Sequence, residues 1–129
     1  MDNYYSVKSW QTTGDVTLFD VVLIPECRVY EGHFPEMPVA PGVCNIQMIK
    51  ECVERITGQP MLLESITQCK FLAMITPQQH RELQICIELT AITDHKFKVI
   101  ATIGRDETDY MTLKGEFVVF SSRFSFLSI

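Results

Sequence analysis

One stretch of this chain has helical periodicity, and nearly everything around it has strand periodicity. Residues Gly42–Thr57 space Ile46, Ile49, Cys52, Val53 and Ile56 at three- and four-residue intervals, one apolar stripe along a helix. Pro41 precedes the stripe, Gly58 follows as a C-terminal cap, and Pro60 forbids continuation. At about 1.5 Å per residue this helix is roughly 24 Å long, enough to cross a whole sheet.

Six runs rich in aromatic and β-branched residues, 4–11, 16–24, 62–72, 83–92, 96–103 and 110–120, predict strands. Gly14-Asp15 sits between the first two, which read as an antiparallel pair. The last four read as a meander. The expected fold class is therefore α+β, a single helix lying along a six-stranded antiparallel sheet. No repeat, low-complexity stretch or linker divides the 129 residues. A chain of this size buries roughly two-thirds of its unfolded surface, so residues 1–129 are expected to form one domain without disulfide or metal support.

Charge and cysteine usage narrow the function classes. Eleven basic and sixteen acidic residues give a formal charge of -5 with no run of Lys or Arg, which argues against nucleic acid or anionic membrane as partners. Cys27, Cys44, Cys52, Cys69 and Cys86 are spread singly without a C-x-x-C pair, which suits a reducing, cytoplasmic compartment. The opening Met1-Asp2-Asn3-Tyr4-Tyr5 does not read as a signal peptide, and no apolar run is long enough for a membrane span. His33, His80 and His95 show no zinc-ligand spacing, and no metal or other cofactor is expected.

Chemistry concentrates in the segment before the helix. Residues 30–42 hold three of the six prolines and two of the six glycines, so this loop has little conformational freedom and cannot be a central strand. It ends at a helix N-terminus, where the Gly42 N–H and its neighbours lack intrahelical partners and the dipole favours negative charge. Such an end can polarise a carbonyl oxygen. His33 is the loop's one titratable group whose unperturbed pKa, about 6.5, suits proton transfer near neutrality. It could remove a proton α to a thioester carbonyl while the Gly42 N–H stabilises the developing oxyanion. It could equally do no more than hydrogen-bond the loop.

His33-Phe34-Pro35, Pro38-Val39 and Pro41-Gly42-Val43 together resemble the H-F-P-x-x-P-V-x-P-G-V signature of 3-hydroxyacyl-[acyl-carrier-protein] dehydratases, the hotdog-fold enzymes of bacterial fatty-acid and polyene synthesis. The similarity extends more loosely to Lys70-Phe71 with Pro77 and to residues 111–119, the family's last strand. It implies a hotdog fold, with a six-stranded sheet wrapped around one long central helix. It also implies a homodimer with active sites at the subunit interface; a dimer of dimers or a heterodimer with another hotdog chain is the wider possibility. Substrates would arrive as thioesters of acyl-carrier protein or coenzyme A. His33 would act on the substrate, Gly42 N–H would hold the thioester oxygen, and Phe34, Pro41 and Val43 would line the bound chain.

The sequence departs from the resemblance at one important place. The family's helix carries an acid fourteen residues after the histidine, and that position here is Gln47. An amide exchanges hydrogen bonds but does not deliver a proton as a carboxylic acid does. One turn on, where these dehydratases usually carry glutamine, stands Glu51, so the two side-chain types look exchanged. Gln47, Glu51 and Glu54 share the face opposite the Ile46/Ile49/Val53/Ile56 stripe. They could line one groove, with Glu51 as a substitute acid, or form a solvated helix face. The rise over four residues, about 6 Å, exceeds hydrogen-bond reach unless a substrate or a water spans it.

Three readings follow: a dehydratase that eliminates water from 3-hydroxyacyl thioesters, a noncatalytic acyl-binding or dimerising partner of an active dehydratase, and a thioesterase. Smaller signals stay open. Cys44 near the helix start could be a nucleophile or a buried hydrophobe. Lys70, Arg81, Lys96, Lys98 and Arg123 could form a patch for acidic carrier protein or be scattered surface charges. The apolar residues of 121–129 are expected to pack on the sheet or on a partner subunit.

Overall fold

A computed structural model of the chain describes residues 4–27 and 40–120. Strands β1 (Tyr5–Thr13) and β2 (Val16–Leu23) are followed by helix α1 (Gly42–Thr57) and strands β3 (Met61–Phe71), β4 (Glu82–Thr93), β5 (Lys96–Arg105) and β6 (Thr108–Val119). All are paired antiparallel in one sheet of order β1-β2-β4-β5-β6-β3. The α+β arrangement of one helix and six antiparallel strands is as expected from sequence. The helix ends where its punctuation places it: Gly58 adopts φ 70° and its N–H donates to the Glu54 carbonyl at 2.8 Å.

One connection differs from expectation. Only β4, β5 and β6 form a sequential meander, because β3 pairs with β6 at the far edge instead of beside β4. Between β2 and β3 the chain must cross four strand spacings, about 19 Å, and it does so through the segment containing α1. Edge placement leaves β3 with Leu62 and Ile66 exposed.

The core follows from alternation. Phe19, Ile85, Ile103 and Met111 are register partners from β2 through β6, and all four are fully buried on the face that meets the helix. From α1 the buried residues are Cys44, Asn45, Met48, Ile49, Cys52 and Val53. Ile46 and Ile56, placed in the stripe by periodicity, are only partly buried. The buried stripe is turned toward Met48 and Cys52 because β1 and the residue before it reach that flank, through Tyr5 to Glu51 and Tyr4 to Asn45.

Burial of Cys52 has a measurable consequence. Loss of water around its thiol pushes the pKa up from 9.0 to about 12, partly offset by the nearby Arg55 charge. A raised thiol pKa means the fold prefers the neutral form. Its stabilising contribution is complete below the unfolded pKa and is lost as pH climbs toward the folded one. The unfolding free energy from urea titration is therefore expected to fall steadily between pH 9 and 12, by up to about 1.4 kcal/mol per pH unit, and less steeply in Cys52→Val.

Candidate functional site

Among the described residues the helix start is an unpaired donor site. Pro41 is the N-cap, in an extended conformation, with no side-chain capping bond and no acidic residue in the first turn. The Pro41 carbonyl accepts from both Cys44 N–H and Asn45 N–H at 3.1 Å. Gly42 N–H has no hydrogen-bond partner among the described residues. Its dipole is thus free to act on a ligand. An added Cβ here would lie 2.8 Å from Phe71 Cζ and 2.9 Å from Cε1, so the exposed Phe71 ring would have to shift to admit it.

Phe71 ends β3 and forms one wall of a cavity of about 400 Å³, with Asn45, Leu72, Met74, Tyr110 and Met111 among the other lining residues. Backbone bonds fix that wall. The Tyr110 carbonyl accepts from Leu72 N–H at 2.8 Å and Ala73 N–H at 3.2 Å, and Ala40 N–H donates to Ile75 O at 2.7 Å. The cavity therefore opens beside the first turn of α1. Phe71 is 59% exposed and Val43 75% exposed, so the rim is apolar and uncovered within one protomer.

Gln47 and Glu51 are half-buried and directly joined: Gln47 Nε2 donates to Glu51 Oε2 at 3.1 Å. The separation expected from helical rise is closed because side chains four residues apart lean toward one another. The other carboxylate oxygen, Oε1, accepts Tyr5 OH at 2.5 Å. Glu51 is thus held at both oxygens as an acceptor, not presented as a free acid. Tyr5, missed from sequence, has its phenol pKa driven upward by burial and by the Glu51 carboxylate. Glu54 leaves the group, taking Met61 N–H at 2.8 Å and Lys50 Nζ at 3.2 Å.

His33 and Phe34 lie outside the described residues, as do Arg123 and the tail. Gly42, Pro41 and Val43 gather at the helix start, and Gln47 and Glu51 follow along it. Cys44 is buried, and burial pushes its thiol pKa up, against a thiolate at this helix end. Lys96 is engaged by Glu64 at 2.9 Å and Glu116 at 3.2 Å, which removes it from a free basic patch. Asn45 was also missed. The available signal was a polar amide between Cys44 and Ile46, one turn before Ile49 and on the same side of the helix.

A family model described as ApeI-like, ApeI dehydratase, matches residues 9–112. The 3-hydroxyacyl-[acyl-carrier-protein] dehydratase FabZ of Wolbachia sp. subsp. Drosophila simulans (strain wRi) is 33% identical over 89 residues, covering 64% of this chain. That match spans 62% of the relative, less than two-thirds of its length. Among solved structures, the dehydratase heterocomplex ApeI:P from Xenorhabdus doucetiae superposes with a TM-score of 0.69 at 18% identity, covering 88% of this chain and 96% of the other. A variant of the fluoroacetyl-CoA-specific thioesterase FlK superposes with a TM-score of 0.68 at 14% identity, covering 92% and 94%. These likenesses show a shared hotdog fold.

Proposed function

The chain belongs to the ApeI-like dehydratase family, and from that premise we propose that it eliminates water from 3-hydroxyacyl thioesters carried on acyl-carrier protein or coenzyme A. The observation that carries the reading is the Gly42 N–H, unpaired among the described residues, at an uncapped helix start beside an apolar cavity. In this reading residues 1–129 are one hotdog domain. His33 takes the proton α to the carbonyl, and Gly42 N–H receives the charge that develops on the carbonyl oxygen. The electron pair then forms the C=C bond as the 3-hydroxyl departs, and the His33 imidazolium returns the proton that makes it water. Gln47 orients that hydroxyl, and Glu51, with both oxygens engaged, orients Gln47. Phe34, Pro41 and Val43 bound the acyl chain.

Assembly and location belong to the same proposal. The apolar rim at Val43 and Phe71 and the exposed edge strand β3 suit a homodimer, with each subunit covering the other's site. All five cysteines are free thiols, which suits the cytoplasm. No helix among the described residues is long and apolar enough to cross a membrane.

A second reading has its own support. Gln47 at the acid position, together with a structural neighbour that is itself a heterocomplex, favours a noncatalytic acyl-binding partner for another hotdog chain. One experiment separates the possibilities: 3-hydroxyacyl thioesters of several chain lengths are mixed with the purified chain, and enoyl thioester absorbance and free thiol are followed together. Enoyl product from the chain alone supports the dehydratase. Thiol release without enoyl product makes it a thioesterase. Silence alone, with activity only beside a co-purifying hotdog chain, makes it the partner.

A further inference from the structure

Asn45 is 2% exposed and lines the cavity beside the first helical turn. Its Oδ1 accepts Tyr4 OH at 2.7 Å, which turns the amide nitrogen the other way. Among the described residues Nδ2 has no acceptor, and a buried amide donor is expensive to leave unpaired. Among the described residues no cavity-lining side chain is charged, so what they supply does not suit a phosphate or carboxylate. What fits is a neutral acceptor on an apolar chain. A carbonyl next to a hydrocarbon tail has that chemistry.

We propose that the Asn45 side-chain amide, held in orientation by Tyr4, is a ligand-binding donor to the acyl carbonyl of a chain seated against Phe71, Met74 and Met111. The inference rests on the acyl-thioester reading above and adds the side chain that holds the carbonyl. Asn45 is three residues beyond Gly42, so both donors belong to the same turn of α1. Tyr4 contributes by position: it is fully buried and keeps the amide from rotating its oxygen toward the ligand.

Binding, not turnover, tests this. Two probes are compared by calorimetry: decanoyl pantetheine in which nitrogen replaces the thioester sulfur, and decyl pantetheine thioether, which lacks the acyl carbonyl. The wild-type chain is expected to prefer the carbonyl-bearing probe by about tenfold or more, the worth of a good buried hydrogen bond. Asn45→Leu, close in volume, and Asn45→Asp, which replaces donor by acceptor, should each weaken that probe by about tenfold while leaving the thioether's affinity in place. The thioether thereby reports that the cavity is intact. A preference retained in either variant overturns the assignment, as does equal wild-type binding of both probes, and the acyl-binding reading survives both results. If neither probe binds wild type, that reading fails and takes the Asn45 assignment with it.

Discussion

Gln47→Glu is expected to raise the rate of enoyl thioester formation by about 100-fold or more, the ordinary worth of a positioned general acid. The position is where the family resemblance places its acid, and Glu51 is already fixed one turn away by Tyr5 OH at 2.5 Å. With the substitution, the Gln47 amide that now lies 3.1 Å from Glu51 Oε2 becomes a second carboxyl. Two carboxylates at that separation do not both ionise readily, so one proton is retained between them. Both Glu51 oxygens already accept hydrogen bonds, from Tyr5 and from residue 47, so the introduced group is the one placed to carry that proton. The gain should therefore be largest at neutral and mildly acidic pH and decline as pH rises through the acid's elevated pKa. Initial rates by enoyl absorbance across pH check both statements. In the exchange Gln47→Glu with Glu51→Gln, the acid has no carboxylate neighbour, so the decline should move to lower pH. An unchanged rate in Gln47→Glu would mean that this side chain does not approach the departing hydroxyl.

Why Gln47 was legible and Tyr5 was not is a matter of range. The helix bounds are local: Pro41, Gly58 and Pro60 act on their own backbone, and the structure starts and stops α1 accordingly. Strand positions are similarly local, since alternation within β2, β4, β5 and β6 records which face meets the core. Pairing partners are not local. Nothing in residues 61–71 says that they join β6 and not β4, because that choice is made by where the segment containing α1 delivers the chain. The same limit hid Tyr5 and Tyr4, which meet Glu51 and Asn45 across 46 and 41 residues of sequence. Gly42 was found for its missing side chain and backbone donor. Its contact with Phe71 became visible only when the end of β3 folded over the helix start.

His33→Ala is expected to reduce dehydration by about 100- to 10,000-fold, as loss of a general base does. In the proposed reaction Gly42 N–H stabilises charge as the proton leaves carbon, so the site needs a base that the helix end does not provide. His80 is engaged elsewhere, its Nδ1 accepting Thr76 N–H at 3.0 Å with its ring edge-on to Tyr110 at 4.9 Å. His95 belongs to the β4–β5 turn, away from the helix start. Cys44 is held as a neutral thiol by burial, and Glu51 has both oxygens occupied. The imidazole of the His-Phe-Pro segment is the remaining group suited to both removing the α proton and returning it to the hydroxyl. A single residue in both roles makes the loss steep, since neither half of the proton transfer has a second donor. Affinity for the decanoyl amide probe should stay near wild type, because Gly42 and Asn45 are untouched. A large fall in kcat with binding preserved thus identifies the base; wild-type rates in His33→Ala would move proton abstraction to another group.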